Sequence, residues 1–326
     1  SVKGLYCEEG PPHLKGLSQP IIEQPEIGVL GFVVRQAASG WQWLLQAKTE
    51  PGNVGGTQIG PSVQATQSNY LQVHGGKPTP MIEMFKAGKG VQNLFVDVEQ
   101  SEQGDRFDGK YNRNVGAQAD PAFEILEDEA WRWFSAAAVR SALARDFTFN
   151  TDSRSVLCCS DWALLADEGR LPFDRWRGQA GFGLELKMSF AVSLPHSGFD
   201  TAQAILAQTR SAGPWCVRRV ALDAIAGWHQ TPMEYACDDP MIDPVVRMYS
   251  VHAADREVTN WCQPLFTNRT QGRAVLVCAR REGVLRFLLP ARTEPGFSER
   301  AQFGPSLLTW PSHANPPGLL AAIDDA

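Results

Sequence analysis

Apolar and polar positions alternate in short runs along most of this chain, and long helical periods are few. Gly28 to Val34 and Trp41 to Ala47 are apolar runs joined by Ala38-Ser39-Gly40, a pattern that predicts a β-hairpin. Its second strand places Trp41, Trp43 and Leu45 on one face. Pro51-Gly52 and Gly55-Gly56 mark a loop, and Gln58 to Val73 reads as an extended polar stretch, a solvated edge strand. Asn93 to Val98 alternates again, with Leu94, Val96 and Val98 on one side. Gln100 to Asn114 is polar with aromatic punctuation. Ser135 suits the N-cap of an alanine-rich helix ending near Arg145, and a second helix is expected over Ser153 to Leu165. Residues 167 to 198 read as a connection, and Thr201 to Thr209 as a helix stopped by Gly213-Pro214. Further strands are expected at Val217 to Leu222, Val245 to Val251, Arg273 to Cys278 and Val284 to Ala291. Mixed strands with few helices predict an α+β fold and not a doubly wound parallel sheet.

The hairpin occurs twice. At a constant offset of 244 residues, Thr49-Glu50-Pro51-Gly52 falls on Thr293-Glu294-Pro295-Gly296, and Gly60-Pro61-Ser62 on Gly304-Pro305-Ser306. Across the 44 positions from 19 to 62 there are 15 identities, far more than unrelated segments share. A repeat this long is a duplicated module and not a solenoid. The modules are placed at 1–195 and 196–326. The second ends before any counterpart of the first copy's SEQG…NRN segment, so it reads as truncated. With Ser at position 1 and 20 residues after Ser306, the expectation is a fragment whose ends are missing.

Composition narrows the chemistry. A formal charge of −6 leaves no basic stripe for nucleic acid, and no apolar run approaches membrane-spanning length. The seven cysteines form no CxxC pair, and the six histidines stand singly. Neither zinc spacing nor a disulfide framework is present, and a cytoplasmic protein with reduced thiols is expected. No dinucleotide fingerprint, P-loop, HExxH or nucleophile elbow occurs. No cofactor and no metal are expected.

Several segments carry a family resemblance: SQPIIEQPEIGVLG, LLQAKTEPGNVGG, PSVQATQSNY, VHGGK and SEQG…KYNRN in the first half, then REVTNWCQPL and ARTEPG in the second. In that order they resemble the NDP-hexose 2,3-dehydratases. The resemblance implies a tandem pair of modules similar to the Nudix fold, a homodimer, and loss of water across C2 and C3 of a 4-keto-6-deoxyhexose carried on dTDP. It also implies that no cofactor is needed, because the ketone already acidifies the C3 hydrogen.

Such a reaction requires a base at C3, donors for the enolate oxygen at C4, and an acid for the C2 hydroxyl. By residue type, Glu102 and Glu50 are candidate bases, and Tyr70 and His74 candidate acids or oxyanion donors. Lys48 and its repeat counterpart Arg292 could hold an anion. Gln64, Ser68, Asn69, Asn112 and Arg113 could bind base, sugar and pyrophosphate, and Trp261 and Gln263 are further substrate-binding candidates. Plainer roles stand beside these: Glu50 and Glu294 as turn residues bonded to their loop backbone, Tyr70 and His74 as a solvated strand end, and the tryptophans as core. In the second copy Leu308 replaces Gln64 and the Asn-Tyr pair is gone. A non-catalytic nucleotide-sugar-binding module with degenerate pockets is therefore the alternative reading. A Nudix-type pyrophosphohydrolase is a third. It would need a metal-holding acidic helix, and the cluster at Glu124 to Glu129 lacks the spacing.

Overall fold

The fold is built around a strand that is apolar on both faces. The computed structural model describes residues 1–160 except 74 and 126–129, and 198–309 except 241, 243, 244, 255–257 and 270, together with 185, 186, 188, 189, 192 and 318. The first half runs β1 (Val2–Glu9), β2 (Ser18–Ile22), β3 (Gly28–Ala37), β4 (Gly40–Thr49), β5 (Thr57–Gly60), β6 (Val63–Ala65), α1 (Gln67–Tyr70), α2 (Ile82–Lys86), β7 (Val91–Ser101), β8 (Tyr111–Ala119), β9 (Trp131–Ser135), α3 (Ala136–Leu143) and α4 (Thr151–Cys159). The first seven residues of β3 are all buried, as a central strand covered on both faces requires. It is the middle of a seven-stranded mixed sheet in the order β5-β4-β3-β8-β7, with β6 paired to β3 and β9 to β4. The β3–β8 pairing is parallel and the others antiparallel.

Alternation along β3 divides the core in two. Val29 and Val33 face Leu44, Val63, Val115 and the α2 side chains Met84 and Phe85. Leu30, Phe32 and Val34 face Trp43, Val139 of α3, and Val156 and Leu157 of α4. Trp43 is fully buried and meets Phe32 and Phe95 edge-on, with centroids 5.3 and 6.1 Å apart. Ser135 caps α3 as expected, accepting a hydrogen bond from the Ala138 N–H.

Three expectations are corrected. In β7, Leu94 and Val98 are each 42% exposed, and only Val96 is buried. A bulge between Leu94 and Val96 breaks the alternation, so Phe95 turns inward over Gly116 instead. The polar stretch after Gln58 is not one strand: it breaks at Pro61 and ends in α1, where Thr66 occupies the N-cap position. The helix expected from Ser153 starts at Thr151, capped by Asn150. It ends at Cys159, with Ser160 extended at its C-cap; residues 161–165 and most of the 167–198 connection lie outside the described residues.

The second half runs α5 (Phe199–Ser211), β10 (Cys216–Val220), β11 (Trp228–Gln230), β12 (Tyr235–Cys237), β13 (Val245–His252), β14 (Asn260–Thr267), β15 (Ala274–Val275), β16 (Cys278–Arg281), β17 (Val284–Phe287), β18 (Ala291–Thr293), β19 (Ala301–Phe303) and β20 (Leu307–Leu308). β11 to β14 form an antiparallel sheet, while β10 crosses back to pair with β1. The later pairs repeat the first half's register at the 244-residue offset. Val34 pairs with Trp43 and Cys278 with Phe287; Lys48 with Gln58 and Arg292 with Gln302; Leu30 with Gln64 and Ala274 with Leu308. A serine tie repeats as well. The Ser62 hydroxyl accepts from Val33 N–H and donates to Leu44 C=O, as Ser306 does with Val277 and Leu288.

The strand expected over Val284 to Ala291 is interrupted between β17 and β18. Pro290 stands where the first half has Gln46, and proline has no N–H for the ladder. Its carbonyl still accepts from Gly304 N–H at 3.1 Å. Leu288 and Leu289 are about half exposed, whereas their counterparts Leu44 and Leu45 are buried.

Candidate functional site

Beside the start of β3, the chain gathers four charged side chains, Glu50, Glu102, Lys110 and Asp152, around a cavity of about 170 Å³. β3 contributes Gly28, β8 contributes Asn112, the 102–110 loop contributes Glu102 and Lys110, and the first turn of α4 contributes Asp152. Asn112 fixes the geometry. Its Oδ1 accepts from the Gly28 N–H at 3.1 Å and from Lys110 Nζ at 2.8 Å, which leaves Nδ2 to donate to Glu102 Oε1. Glycine is required at 28, because a Cβ there would lie 2.7 Å from Asn112 Oδ1. Lys110 Nζ also donates to the Glu26 carbonyl, and Glu26 in turn accepts from Ser68 Oγ at 2.8 Å.

The opposite wall is an amide–carboxylate chain. Gln64 Nε2 donates to Glu50 Oε1 at 2.8 Å, and Asn150 Nδ2 donates to Gln64 Oε1 at 2.8 Å. Asn150 thus serves twice, since its Oδ1 also caps α4 through the Ser153 N–H. Lys48 is buried behind this wall, with Nζ 3.3 Å from the Gln64 carbonyl.

Three carboxyl groups (Glu50, Glu102, Asp152) therefore share the region with two ammonium groups (Lys48, Lys110), and full ionisation would leave an uncompensated negative charge. Asp152 takes the proton. Burial pushes its carboxyl up to about 7, reinforced by repulsion from Glu50 and Glu102 and opposed by Lys48 and Lys110. Its surface is partly open to the cavity, so the desolvation comes from the protein on its other sides. Burial also raises Glu102 above the usual carboxylate range, against the pull of Lys110 and Asn112. Lys110 is lowered by burial, against Glu102, Glu26 and Asp152. Carboxyls displaced from their ordinary values inside a cavity are suited to proton transfer near neutrality.

Glu102 and Phe107 also line a second cavity of about 600 Å³, a volume typical of small-molecule sites. Its far wall is the second half of the chain: Leu265 and Phe266 of β14, Arg292 and Glu294 at β18, and Phe297 and Phe303. Arg292 donates to the Pro305 and Ser306 carbonyls at 2.8 and 3.1 Å. Glu294 Oε2 accepts from the Gly104 N–H at 2.7 Å. Arg106, paired with Asp105 at 2.7 Å, lies over the Phe266 ring. By the repeat, Arg292, Glu294 and Leu308 of this cavity stand where Lys48, Glu50 and Gln64 stand beside the first.

The structure brings together Glu102, Gln64, Asn69 and Asn112 in the smaller cavity, with Lys48 behind it, and Glu102 with Arg292 in the larger. It places the other candidates elsewhere. Tyr70 packs on the core, with the Lys86 ammonium 5.3 Å from its ring. Arg113 is engaged bidentately by Asp97 at 2.7 and 2.8 Å and donates to the Phe85 carbonyl. Ser68 bonds Glu26. Trp261 donates to Gln263 within β14, and neither lines either cavity. His74 lies outside the described residues. Lys110, Asp152, Glu26 and Asn150 are additions that residue-type reasoning passed over. Among the described residues no group of three or more His, Cys, Asp or Glu is arranged to hold a metal ion, and no helix is long and apolar enough to cross a membrane.

Comparison with known proteins adds to this geometry. The family described as NDP-hexose 2,3-dehydratase matches residues 1–160 and 200–316. Three curated relatives bear the name dTDP-4-dehydro-6-deoxy-alpha-D-glucopyranose 2,3-dehydratase. The protein from Saccharopolyspora spinosa is 33% identical over 307 residues, covering 94% of this chain and 62% of the relative. That from Amycolatopsis orientalis is 30% identical over 316 residues, 95% of this chain and 61% of the relative. That from Streptomyces violaceoruber is 31% identical over 315 residues, 94% and 65%. The chain spans a little over three-fifths of the length of these relatives.

Proposed function

Since the chain belongs to the NDP-hexose 2,3-dehydratase family, we propose that it serves the removal of water across C2 and C3 of a dTDP-linked 4-keto-6-deoxyhexose. The observation that supports this reading is the position of Glu102, a desolvated carboxylate in the walls of both cavities. In the reading, the smaller cavity takes the hexose end and the larger the nucleotide. Glu102 removes the C3 proton, whose acidity comes from the neighbouring C4 ketone, and the electrons pass to the C4 oxygen as an enolate. Lys110 has two of its three N–H bonds committed, to Asn112 and Glu26, and the third is offered to that oxygen. Collapse of the enolate then breaks the C2–O bond, and Asp152 supplies the proton with which the hydroxyl leaves as water. The product is the enol of a 2,6-dideoxy-3,4-diketohexose. Tyr70 and His74 have no role in this scheme.

The finer architecture belongs to the same proposal: two copies of one Nudix-like module, at 1–195 and 196–326, working as a homodimer. The repeated strand register supports the duplication.

The test is mass spectrometry of dTDP-4-keto-6-deoxyglucose incubated with this chain and with the protein extended to the length of its relatives. Loss of one water is expected, and Glu102→Gln in the active form is expected to reduce turnover by about 10³-fold or more while the substrate still binds, given what a positioned base contributes. Undiminished turnover by Glu102→Gln would refute the assignment. Binding without turnover by the extended wild-type protein would replace it with the binding-module reading.

A further inference from the structure

We propose that Glu294 is a positioning residue for Glu102, and that the second copy's Thr293–Gly296 turn acts as a strut for the loop forming the first copy's cavity. The inference rests on the reading above only in giving Glu102 a functional role.

The loop from 102 to 110 is held from both sides: β2 of its own half bonds it through Ile22 to Arg106 and Asp108 and through Gln19 to Asp105, and the second half bonds it at Gly104 and Gly109. At the base, the Glu102 N–H donates to the Lys110 carbonyl at 2.9 Å. Towards the second half, Glu294 Oε2 accepts from Gly104 N–H at 2.7 Å, Gly296 N–H donates to Gly104 C=O at 2.7 Å, and Gly109 N–H donates to Gly296 C=O at 2.7 Å. Ser101, just before Glu102, donates to Gln302 of β19. Loop and turn lie backbone against backbone: a Cβ on Gly296 would sit 2.0 Å from the Phe107 carbonyl oxygen, and one on Gly104 would sit 2.6 Å from the Phe297 ring. Two glycines from the two halves meet because no side chain fits between them.

The repeat sharpens the point. Glu50 and Glu294 occupy the same place in the same turn, yet they are used differently. The Glu50 carboxylate accepts from side chains on its cavity wall, whereas Glu294, 8% exposed, reaches out of its own half to a backbone N–H two residues from Glu102. A charge-assisted hydrogen bond to a buried amide is about twice as strong as a neutral one. The loop's freedom to carry Glu102 towards solvent is thereby restricted by a group that never touches it.

Two single substitutions separate position from charge. Glu294→Asp keeps the charge but withdraws the acceptor by one methylene; Glu294→Gln removes the charge but keeps an acceptor oxygen within reach of Gly104. The Glu102 carboxyl is followed by ¹³C NMR titration against Glu102→Gln, a readout that needs no turnover and stands even if the assigned reaction fails. Glu294→Asp is expected to move the Glu102 titration towards that of an ordinary glutamate by about half a pH unit or more, roughly a threefold change in proton affinity. Glu294→Gln is expected to move it less. The reverse order, or no movement in either variant, would overturn the proposal, because a purely electrostatic role predicts that only loss of the charge matters.

Discussion

Replacing Asp152 with asparagine removes a proton site from the first turn of α4 while preserving shape. In the fold this carboxyl holds its proton up to about pH 7, against an ordinary value of 3.8. Well below pH 3.8 both folded and unfolded chains bind the proton and stability is unaffected. Between the two values the unfolded chain has released the proton and the folded one has not, so the wild-type fold loses stability as pH rises and carries the whole penalty above pH 7. At 1.36 kcal/mol per pH unit the full penalty is about 4 kcal/mol, of which roughly 3 develops between pH 5 and pH 8. The α4 N-terminus favours the ionised form by up to about 1 kcal/mol, which leaves about 2 kcal/mol over that interval. Asp152→Asn should therefore gain about 2 kcal/mol on the wild type between pH 5 and pH 8. Urea unfolding of both proteins at the two values, with the denaturant slope unchanged, measures the double difference. A value below about 0.5 kcal/mol would show that Asp152 ionises normally and would remove it as the acid of the proposed reaction.

Two further substitutions test the fold. Ser62→Ala strands a buried N–H on Val33 and a buried C=O on Leu44 and should cost about 3 kcal/mol by urea unfolding. Ser306→Ala, beside the half-exposed Leu288, should cost about 1 kcal/mol, because water can replace part of what is lost. Gly116→Ala places a methyl 2.2 Å from the Phe95 ring. It should cost about 2 kcal/mol or more and weaken the near-ultraviolet circular dichroism of Trp43, which Phe95 abuts; an unchanged spectrum and midpoint would contradict the packing.

The β3–β4 hairpin was legible because its apolar runs are bounded by a small-residue turn and alternate cleanly. The recurrence at 244 residues was legible because the turn residues Thr-Glu-Pro-Gly and the buried serine are under backbone constraint, and in both stretches the strands pair in the same register. The face of β7 was not legible, since a bulge flips the alternation and nothing in Leu94-Phe95-Val96 announces it. Glu102 and Asn112 stood out because they lie in a long polar segment with no core to serve. Lys110, in that same segment, escaped because a lysine beside a glycine reads as a surface turn. Asp152 escaped because an acid in the first turn of a helix already has a local explanation; only tertiary placement beside Glu50 and Glu102 makes it a proton carrier. Tyr70 and Arg113 show the converse, with side chains suited to ligands taken up by the core and by Asp97.

The pairing of β1 bears on how the chain is made. β1 is the middle strand of its sheet, yet one neighbour, β2, follows within about a dozen residues, and the other, β10, begins 207 positions after Glu9. During synthesis at about 5–20 residues per second, one edge of β1 would stay without its partner for roughly 10–40 s. An unpaired edge of that duration invites pairing with another nascent chain. The N-terminal sheet is therefore the last part of the first half to close, and the step at which crowding on the ribosome would divert the product.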